Sequence, residues 1–312
     1  MKTINFSPKI DEISENIIYL LSLDSRTTIT DLAKLLKENR RIVENRVNKL
    51  YKQQYIKPLL IYNYKDCIKV TILVKLSSFD KKVIEDIVKL SKITKVKETQ
   101  GEYDLSLLVV TDNNKEVEQI ITKINTAFHN IILKLDVIYH DLEDTLGYKS
   151  FCHNPDFFKK YSLLKPNNTL LNKEEKEILG IIKDEPHISY RNLMKKNGWG
   201  YNKVSKVLES LRERGVIRFS VDPHYSNLGL EFHNILVKVN PARKEEFERF
   251  IICHPRVHWV KRGTGIWNYI LSITARDIQE FIDITRDIRT ENKENILDVS
   301  TLVSKIHVRR KF

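Results

Sequence analysis

Few features of exported, membrane-bound or disulfide-rich proteins occur in this sequence of 312 residues. Its three cysteines, Cys67, Cys152 and Cys253, are far apart and include no C-x-x-C pair, which argues against a disulfide framework or a structural metal site. No run of about 18 apolar residues is present to span a membrane. No apolar stretch near residue 1 is followed by a small-residue cleavage site. We therefore expect a soluble protein of the reducing cytoplasm with no membrane partner.

The sequence also lacks the short motifs of common catalytic and nucleotide-binding sites. G-x-x-x-x-G-K-[ST], H-E-x-x-H and G-x-S-x-G are all absent. The segment GTGIWN at 263–268 begins like a dinucleotide-binding loop, but it precedes a strand-like run instead of following one. Cys253, His254 and His258 lack a fourth potential ligand and straddle a predicted helix end and strand start, so structural roles are favoured. We predict no catalytic residue, no cofactor and no metal.

The composition is that of a globular protein with an excess of positive charge. Apolar residues make up 41% of the chain and charged residues 30%, and the net charge is +12. Lysine and arginine exceed the acids by four in residues 1–57, by three in 172–222 and by four in 223–312. This distribution favours a polyanionic partner without identifying a fold.

The second half of the sequence repeats the first at a nearly constant offset. GEYDLSLLVV at 101–110 matches GIWNYILSIT at 265–274, and ILVKL at 72–76 matches ILVKV at 235–239. Leu50 likewise falls on Leu211. Self-similarity of this kind indicates a duplicated unit.

In each unit, the spacing of the apolar residues changes from a helical period to an alternation of strand and helix patterns. The first third has apolar residues at i, i+3/i+4 and i+7, which predicts three short helices, and the rest predicts the order β-α-β-β-α-β of a ferredoxin-like sandwich. The fold class is therefore α+β, in two tandem copies. We predict helix-turn-helix domains at 1–57 and 172–222, ferredoxin-like domains at 58–138 and 223–312, and a linker at 139–171. The aromatic residues of the linker predict an ordered strap: Phe151, Phe157, Phe158 and Tyr161.

These patterns together resemble the Lrp/AsnC family of transcriptional regulators in both copies. The resemblance rests on the helix spacing, on the strand that follows, and on G-x-[YW]-[DN] between the second and third strands of the sandwich. The matching residues are Leu32-Ala33, Val43, Arg46-Val47, Leu50 and Ile56, their counterparts Leu193, Val204, Leu208, Leu211 and GVIR at 215–218, and finally GEYDL and GIWNY. The resemblance implies winged or helix-turn-helix binding of double-stranded DNA, an amino-acid-sensing domain and homo-oligomers. One chain would then correspond to a family dimer, with an intrachain pseudo-dimer of sensing domains.

The third helix of each unit is the candidate DNA contact. Its outward stripe in the first copy combines side chains that read base edges with side chains that hold phosphate: Arg41, Asn45, Asn48 and Lys52, with Arg40 beside them. The second copy offers Tyr201, Asn202 and Lys206, but Glu209 and Glu213 complete that stripe. The formal charges of the two stripes sum to +2 in the first copy and −1 in the second. We therefore expect the third helix of the first copy to contribute more to DNA binding. The alternative is that each is an ordinary solvated helix face.

The G-x-[YW]-[DN] motif supplies the candidate effector residues. They are Gly101, Tyr103 and Asp104 in the first copy and Gly265, Trp267 and Asn268 in the second. One reading is a structural turn in which the glycine adopts a positive φ. The other is a cleft in which Asp104 meets the amino group of an amino acid. Because Asn268 replaces the acid, we expect the first copy to be the stronger site.

Two further functions compete with that of a DNA-binding regulator. Siroheme decarboxylases resemble this architecture and also occur as paired or fused units, and such an enzyme would offer His258 and Arg262 to a tetrapyrrole. A sensor that has lost DNA binding and acts through protein partners is the third hypothesis. A coloured, tetrapyrrole-loaded protein would favour the enzyme, and the absence of salt-sensitive DNA binding would favour the sensor.

Overall fold

The computed structural model describes residues 10–90, 92–154, 163–165 and 168–309. The same order of elements occurs twice along the chain. The first unit contains α1 (Glu12–Leu23), α2 (Ile29–Leu36), α3 (Arg40–Lys52), β1 (Ile56–Tyr62), β2 (Ile68–Leu76), α4 (Lys81–Lys89), β3 (Ile93–Gly101), β4 (Leu105–Thr111), α5 (Asn114–Phe128) and β5 (Ile132–Thr145). The second contains α6 (Lys173–Asp184), α7 (Tyr190–Asn197), α8 (Tyr201–Glu213), β6 (Ile217–Pro223), β7 (Glu231–Val239), α9 (Lys244–Cys253), β8 (Val257–Thr264), β9 (Tyr269–Ala275), α10 (Ile278–Glu291) and β10 (Ile296–Arg309). The fold is thus mixed α/β, as the sequence predicts.

Local sequence sets the ends of the helices that precede β1 and β6. The Asn39 side chain caps α3 by accepting from the Arg41 N–H, and Asn172 forms a capping box with Glu175 at the start of α6. Gly215 ends α8 with a φ of 65°. Gln54 adopts a φ of 55° at the corresponding end of α3, so the same left-handed turn forms there without a glycine.

A two-stranded ribbon joins the two helical groups. β1 and β6 are antiparallel, from Ile56 opposite Pro223 to Tyr62 opposite Ile217. Beside the ribbon, the Arg26 guanidinium lies 3.9 Å from the centre of the Phe219 ring and donates to the Ile188 carbonyl at 3.2 Å. The helical groups of the two copies are therefore in direct contact.

The remaining strands form one closed barrel in the order β10-β3-β4-β2-β5-β8-β9-β7. The sheets of the two copies are therefore hydrogen-bonded to each other at both edges. β5 and β10 are each 14 residues long, and each pairs with one strand of its own copy and one strand of the other. Closure satisfies edge N–H and C=O groups that an open sheet would leave to solvent.

The core divides into layers on the two sides of the barrel wall. Helices α4 and α5 pack over β2–β4 outside, and α9 and α10 pack over β7–β9. Inside, an apolar cluster brings the two copies together: Leu73, Tyr103, Ile138, Leu236, Trp267, Ile270 and Leu302. Among the helices of the described ranges, none is long and apolar enough to cross a bilayer.

The segment assigned to the linker is partly strand. β5 continues to Thr145 because its second half pairs with β8, and Tyr148 and Phe151 are then buried against α1. The His153 ring hydrogen-bonds to the Glu15 carboxylate. Phe157, Phe158 and Tyr161 lie outside the described residues.

Glycine in the G-x-[YW]-[DN] motif is needed where the long strand of the other copy passes. A Cβ on Gly101 would lie 2.2 Å from the Thr301 carbonyl oxygen, and one on Gly265 would lie 2.5 Å from that of Val137. Gly101 also has a φ of +136°. The shared glycine is therefore explained by the approach of β10 to one copy and of β5 to the other.

We expect Gly101→Ala to lower the free energy of unfolding by about 2–4 kcal/mol, since the new methyl group meets backbone and the φ is unfavourable for alanine. Chemical denaturation measures this change. The control is Gly180→Ala on the exposed side of α6, where a Cβ meets nothing within 4 Å. That variant should retain or gain stability. Equal effects of the two substitutions would show that close approach at Gly101 is unimportant.

Candidate nucleic-acid interface and ligand cavities

The outward face of α3 presents the predicted DNA-contacting side chains to solvent. Arg40, Arg41, Asn45, Asn48 and Lys52 are all exposed, whereas the opposite face is buried in the helical core. Within the described part of the chain, these five side chains form no ion pair with another side chain. The face can therefore contact a nucleic acid without breaking an internal salt bridge.

The corresponding helix of the second copy also places its predicted residues on the surface. Tyr201 is 55% exposed, and Asn202 and Lys206 are exposed beside it. The acids of this stripe are exposed too, and Glu209 accepts a hydrogen bond from Ser205 at 2.8 Å. The two faces therefore differ in charge in the folded protein as they do in sequence.

The aromatic residues of the two G-x-[YW]-[DN] motifs meet inside the barrel. Trp267 donates through Nε1 to the Tyr103 hydroxyl at 3.2 Å, and that hydroxyl donates to Asp136 at 2.5 Å. Both rings are buried, and burial raises the pKa of Tyr103 to about 12. This contact joins the two copies within the buried apolar cluster of the barrel.

The acid or amide of each motif holds the end of a neighbouring strand. Asp104 accepts from the Leu76 N–H at 2.8 Å and forms an ion pair with Lys75 at 3.0 Å. Asn268 accepts from the Val239 N–H at 2.8 Å. The backbone contact is thus the same in both copies, and an amide oxygen makes it as well as a carboxylate does.

A small pocket lies next to Asn268, where β5 of the first copy meets β8 of the second. Its volume is about 230 Å³, and its lining includes Asp141, Lys244, Arg262 and Asn268. Arg262 donates to Asp141 at 2.8 Å and to Glu248 at 2.7 Å. Although burial disfavours the cation, these hydrogen bonds raise the pKa of Arg262 above its usual value. The pocket combines an acid with two cations.

The histidines considered as metal ligands have internal structural contacts. His258 is buried, with Nδ1 3.2 Å from the Gly147 carbonyl oxygen and Nε2 3.2 Å from the Ser150 hydroxyl. Burial lowers its pKa to about 3. His254 Nδ1 accepts from the Arg256 N–H at 3.1 Å. In the residues that the structure describes, no group of three or more His, Cys, Asp or Glu is placed to hold a metal.

A much larger cavity, of about 920 Å³, lies between the β1–β6 ribbon and the barrel. Sequence reasoning missed it. Its charged lining comprises Lys57, Lys69, Lys95, Lys97, Lys183, Lys261, Glu143, Glu185 and Asp222. Its aromatic lining comprises Tyr62, Tyr148, His187, Tyr225, Phe232 and Trp259. The only available signal was the alternation of Lys95 and Lys97 on one face of β3, and that face could be recognised as internal only after barrel closure was known.

A buried carboxylate with two lysines forms the charged floor of this cavity. Glu143 lies 2.9 Å from Lys69 and 3.4 Å from Lys261. Burial by itself would raise the pKa of Glu143, but Lys261 and Lys69 hold it well below its usual range. Burial and the nearby Lys69 cation lower the pKa of Lys261 in spite of Glu143. The single negative charge of Glu143 therefore offsets only part of the positive charge of Lys69 and Lys261.

Comparison with known proteins gives relatives of one unit at a time. No family model matches the chain. An uncharacterized HTH-type transcriptional regulator of Pyrococcus abyssi is 30% identical over 104 residues, which are 33% of this chain and 71% of that protein. The HTH-type transcriptional regulator LysM of Sulfurisphaera tokodaii is 29% identical over 120 residues, or 38% of this chain and 86% of LysM.

A solved structure matches both units together. The siroheme decarboxylase NirDL superposes with a TM-score of 0.57 at 16% identity, over 97% of this chain and 94% of NirDL. A second structure of NirDL, in complex with an iron-uroporphyrin III analogue, gives a TM-score of 0.55 at 14% identity. At these identities the likeness is one of fold, and it covers both copies.

We expect Glu143→Gln to lower the free energy of unfolding by about 3–5 kcal/mol, because Lys69 and Lys261 would lose the buried carboxylate between them. Since the pKa of Glu143 is lowered in the folded protein, its contribution is complete above the ordinary value of 4.5 and decreases as the pH falls below it. Urea denaturation at pH 7 and at decreasing pH measures both effects. Glu185→Gln is the control, because Glu185 pairs with Lys196 at the surface and should change stability by less than about 1 kcal/mol. A similar loss in both variants would contradict the assignment.

Proposed function

The chain belongs to the Lrp/AsnC family of transcriptional regulators, and on that premise we propose that it reads DNA chiefly through α3 of its first unit. Its curated relatives are named as HTH-type transcriptional regulators, and in this proposal the protein is a sequence-specific DNA-binding regulator. The observation that carries the proposal is the exposed α3 stripe, in which Arg41, Asn45, Asn48 and Lys52 face solvent together. Arginine and asparagine can pair with guanine and adenine edges in the major groove, and lysine can hold phosphate.

The second reading helix, α8, contributes less in this proposal. Glu209 and Glu213 are exposed on the same face as Asn202 and Lys206, and carboxylates close to a phosphate backbone are repelled. A homodimer presents identical helices and prefers a palindrome, whereas two unlike helices on one chain favour an asymmetric pair of half-sites. Glu209 could still accept from a cytosine amino group.

The intrachain arrangement serves in place of a family dimer in this proposal. The β1–β6 ribbon joins the two helical groups, and the closed barrel joins the two sensing domains. Homo-oligomers would then form through the outer helices. The exposed Ile278 and Ile282, 45% and 44% accessible on successive turns of α10, support such contacts.

We expect Arg41→Ala with Asn45→Ala to weaken binding to selected operator DNA more than Asn202→Ala with Lys206→Ala does. Each lost base contact should cost about 1–3 kcal/mol. Fluorescence anisotropy over a range of salt concentrations measures both double variants, and loss of a phosphate contact should reduce the salt dependence. Equal losses, or no loss from the first pair, would show that α3 is not the dominant reading helix.

We propose in addition that an α-amino acid binds the small pocket beside Asn268. Asp141 can accept from the ammonium group, and Lys244 can bind the carboxylate. The pocket draws Asp141 from one copy and the other residues from the second, so its occupant would contact both copies. The volume of about 230 Å³ supports an occupant the size of one amino acid. Asp104, the acid expected from sequence, is the alternative site in the first copy.

We expect Asp141→Asn to reduce amino-acid affinity about tenfold or more, because a hydrogen bond to a charged group is worth about 1.5–3 kcal/mol. Calorimetry against the common amino acids measures this change. Asp104→Asn is the matched substitution and should leave the affinity nearly unchanged. Loss of binding from Asp104→Asn alone would move the effector site to the first copy, and no binding by the unmodified protein would leave both motifs as structural turns.

Our proposal excludes siroheme decarboxylation as the function of this chain. His258 contacts Gly147 and Ser150, Arg262 is bound by Asp141 and Glu248, and neither lines the large cavity. The NirDL likeness shows the fold and not the chemistry. Release of carbon dioxide from siroheme by the purified protein would overturn this proposal.

A further inference from the structure

We propose that the large cavity binds an organic molecule with a flat apolar body and two or more anionic groups, and that its occupancy changes the affinity for DNA. The coupling rests on the proposed function as a DNA-binding regulator, whereas ligand binding in the cavity does not. The site is separate from the pocket beside Asn268 and from the G-x-[YW]-[DN] motifs, because none of those residues lines it.

The lining of the large cavity has an excess of positive charge, which favours an anionic ligand. Six lysines line the cavity against three acids, and Lys69 and Lys261 share the single carboxylate of Glu143. Lys69 Nζ and Lys183 Nζ each lie 4.5 Å from the centre of the Tyr62 ring, and Lys183 donates to the Tyr64 hydroxyl at 2.9 Å. Burial and the Lys69 cation lower its pKa. An anionic ligand would offset the repulsion among these cations.

The aromatic and apolar residues of the lining favour a ligand with a flat apolar body. Tyr225 and Phe232 are stacked with their ring centres 4.7 Å apart, and Trp259 and Ile270 also line the cavity. Lys97 Nζ lies 4.9 Å from the centre of the Phe232 ring. A lining that combines aromatic rings with nearby cations suits a ligand that has an apolar body and anionic groups. The volume of about 920 Å³ is near the upper end for small-molecule pockets.

The wall formed by residues 185–189 connects the cavity to the first reading helix. This loop joins α6 to α7, and Glu185, Pro186, His187, Ile188 and Ser189 all line the cavity. The His187 ring packs edge-on against Tyr51 in the last turn of α3, with ring centres 4.9 Å apart. Displacement of this loop by a ligand would therefore be transmitted to α3.

A second contact ties the same loop to the loop between α1 and α2. Arg26 donates to the Ile188 carbonyl at 3.2 Å and to that of Pro186 at 3.4 Å. The 185–189 loop thus makes two separate contacts with the first helical group, at Tyr51 and at Arg26, and it also lines the cavity. Binding and DNA affinity would be coupled reciprocally through this one segment.

Calorimetry and fluorescence with the full chain test the binding site in the absence of DNA. The probes are uroporphyrin III, a flat polycarboxylate, and ATP, a flat base with a polyphosphate, so the two arms distinguish carboxylate from phosphate ligands. We expect one probe to bind, and Lys97→Met with Lys183→Met to weaken it about tenfold or more. Lys115→Met, on the exposed start of α5, is the control. Circular dichroism verifies the fold of each variant. Binding of neither probe, or equal binding by the cavity and control variants, would overturn the site.

DNA binding with and without a saturating concentration of the bound probe tests the coupling. We expect the dissociation constant for DNA to change about fivefold or more. Tyr51→Leu should keep the probe affinity and abolish this change, because Tyr51 contacts His187 but does not line the cavity. A probe that binds without altering DNA affinity would overturn the coupling. Failure of the unmodified protein to bind any DNA would refute the proposed function, while the cavity result stands by itself.

Discussion

Closure of the barrel is the constraint on which the other features of this protein depend. Each ferredoxin-like sheet has two edges whose N–H and C=O groups need partners, and β5 and β10 supply them by pairing across the two copies. Closure requires glycine at 101 and 265, since a side chain there would collide with the passing strand. It also places Tyr103 and Trp267 in contact and encloses the charged cavity beneath the β1–β6 ribbon.

Helices and strands could be predicted from sequence because their periods are local, but the partners of β5 and β10 could not. The apolar spacing of β2 and β7 indicates strands, and Asn39 marks the start of α3. The extension of β5 to Thr145 depends instead on β8, which is more than a hundred residues away in sequence. The burial of Lys97 on β3 likewise depends on barrel closure and could not be inferred from the local sequence.

Most residues of the G-x-[YW]-[DN] motif, on which the family resemblance partly rests, have structural roles in the barrel. The exchange of Asp104 for Asn268 preserves the acceptor for a backbone N–H, at Leu76 in one copy and Val239 in the other. The motif can therefore persist in a copy without an effector. The exposure of the proposed DNA-contacting stripe was predictable because a helix with Val43, Val47 and Leu50 buried must expose its other face.

The joining of both copies by one polypeptide makes closure of the barrel independent of protein concentration. Two separate chains that share a barrel dissociate on dilution, so their stability follows mass action. Here the partners of β3 and β8 are on the same molecule, and the barrel persists in a cell that contains very few copies of the protein. Covalent linkage also lets one half accumulate substitutions that the other does not share, which identical subunits encoded by one gene cannot do.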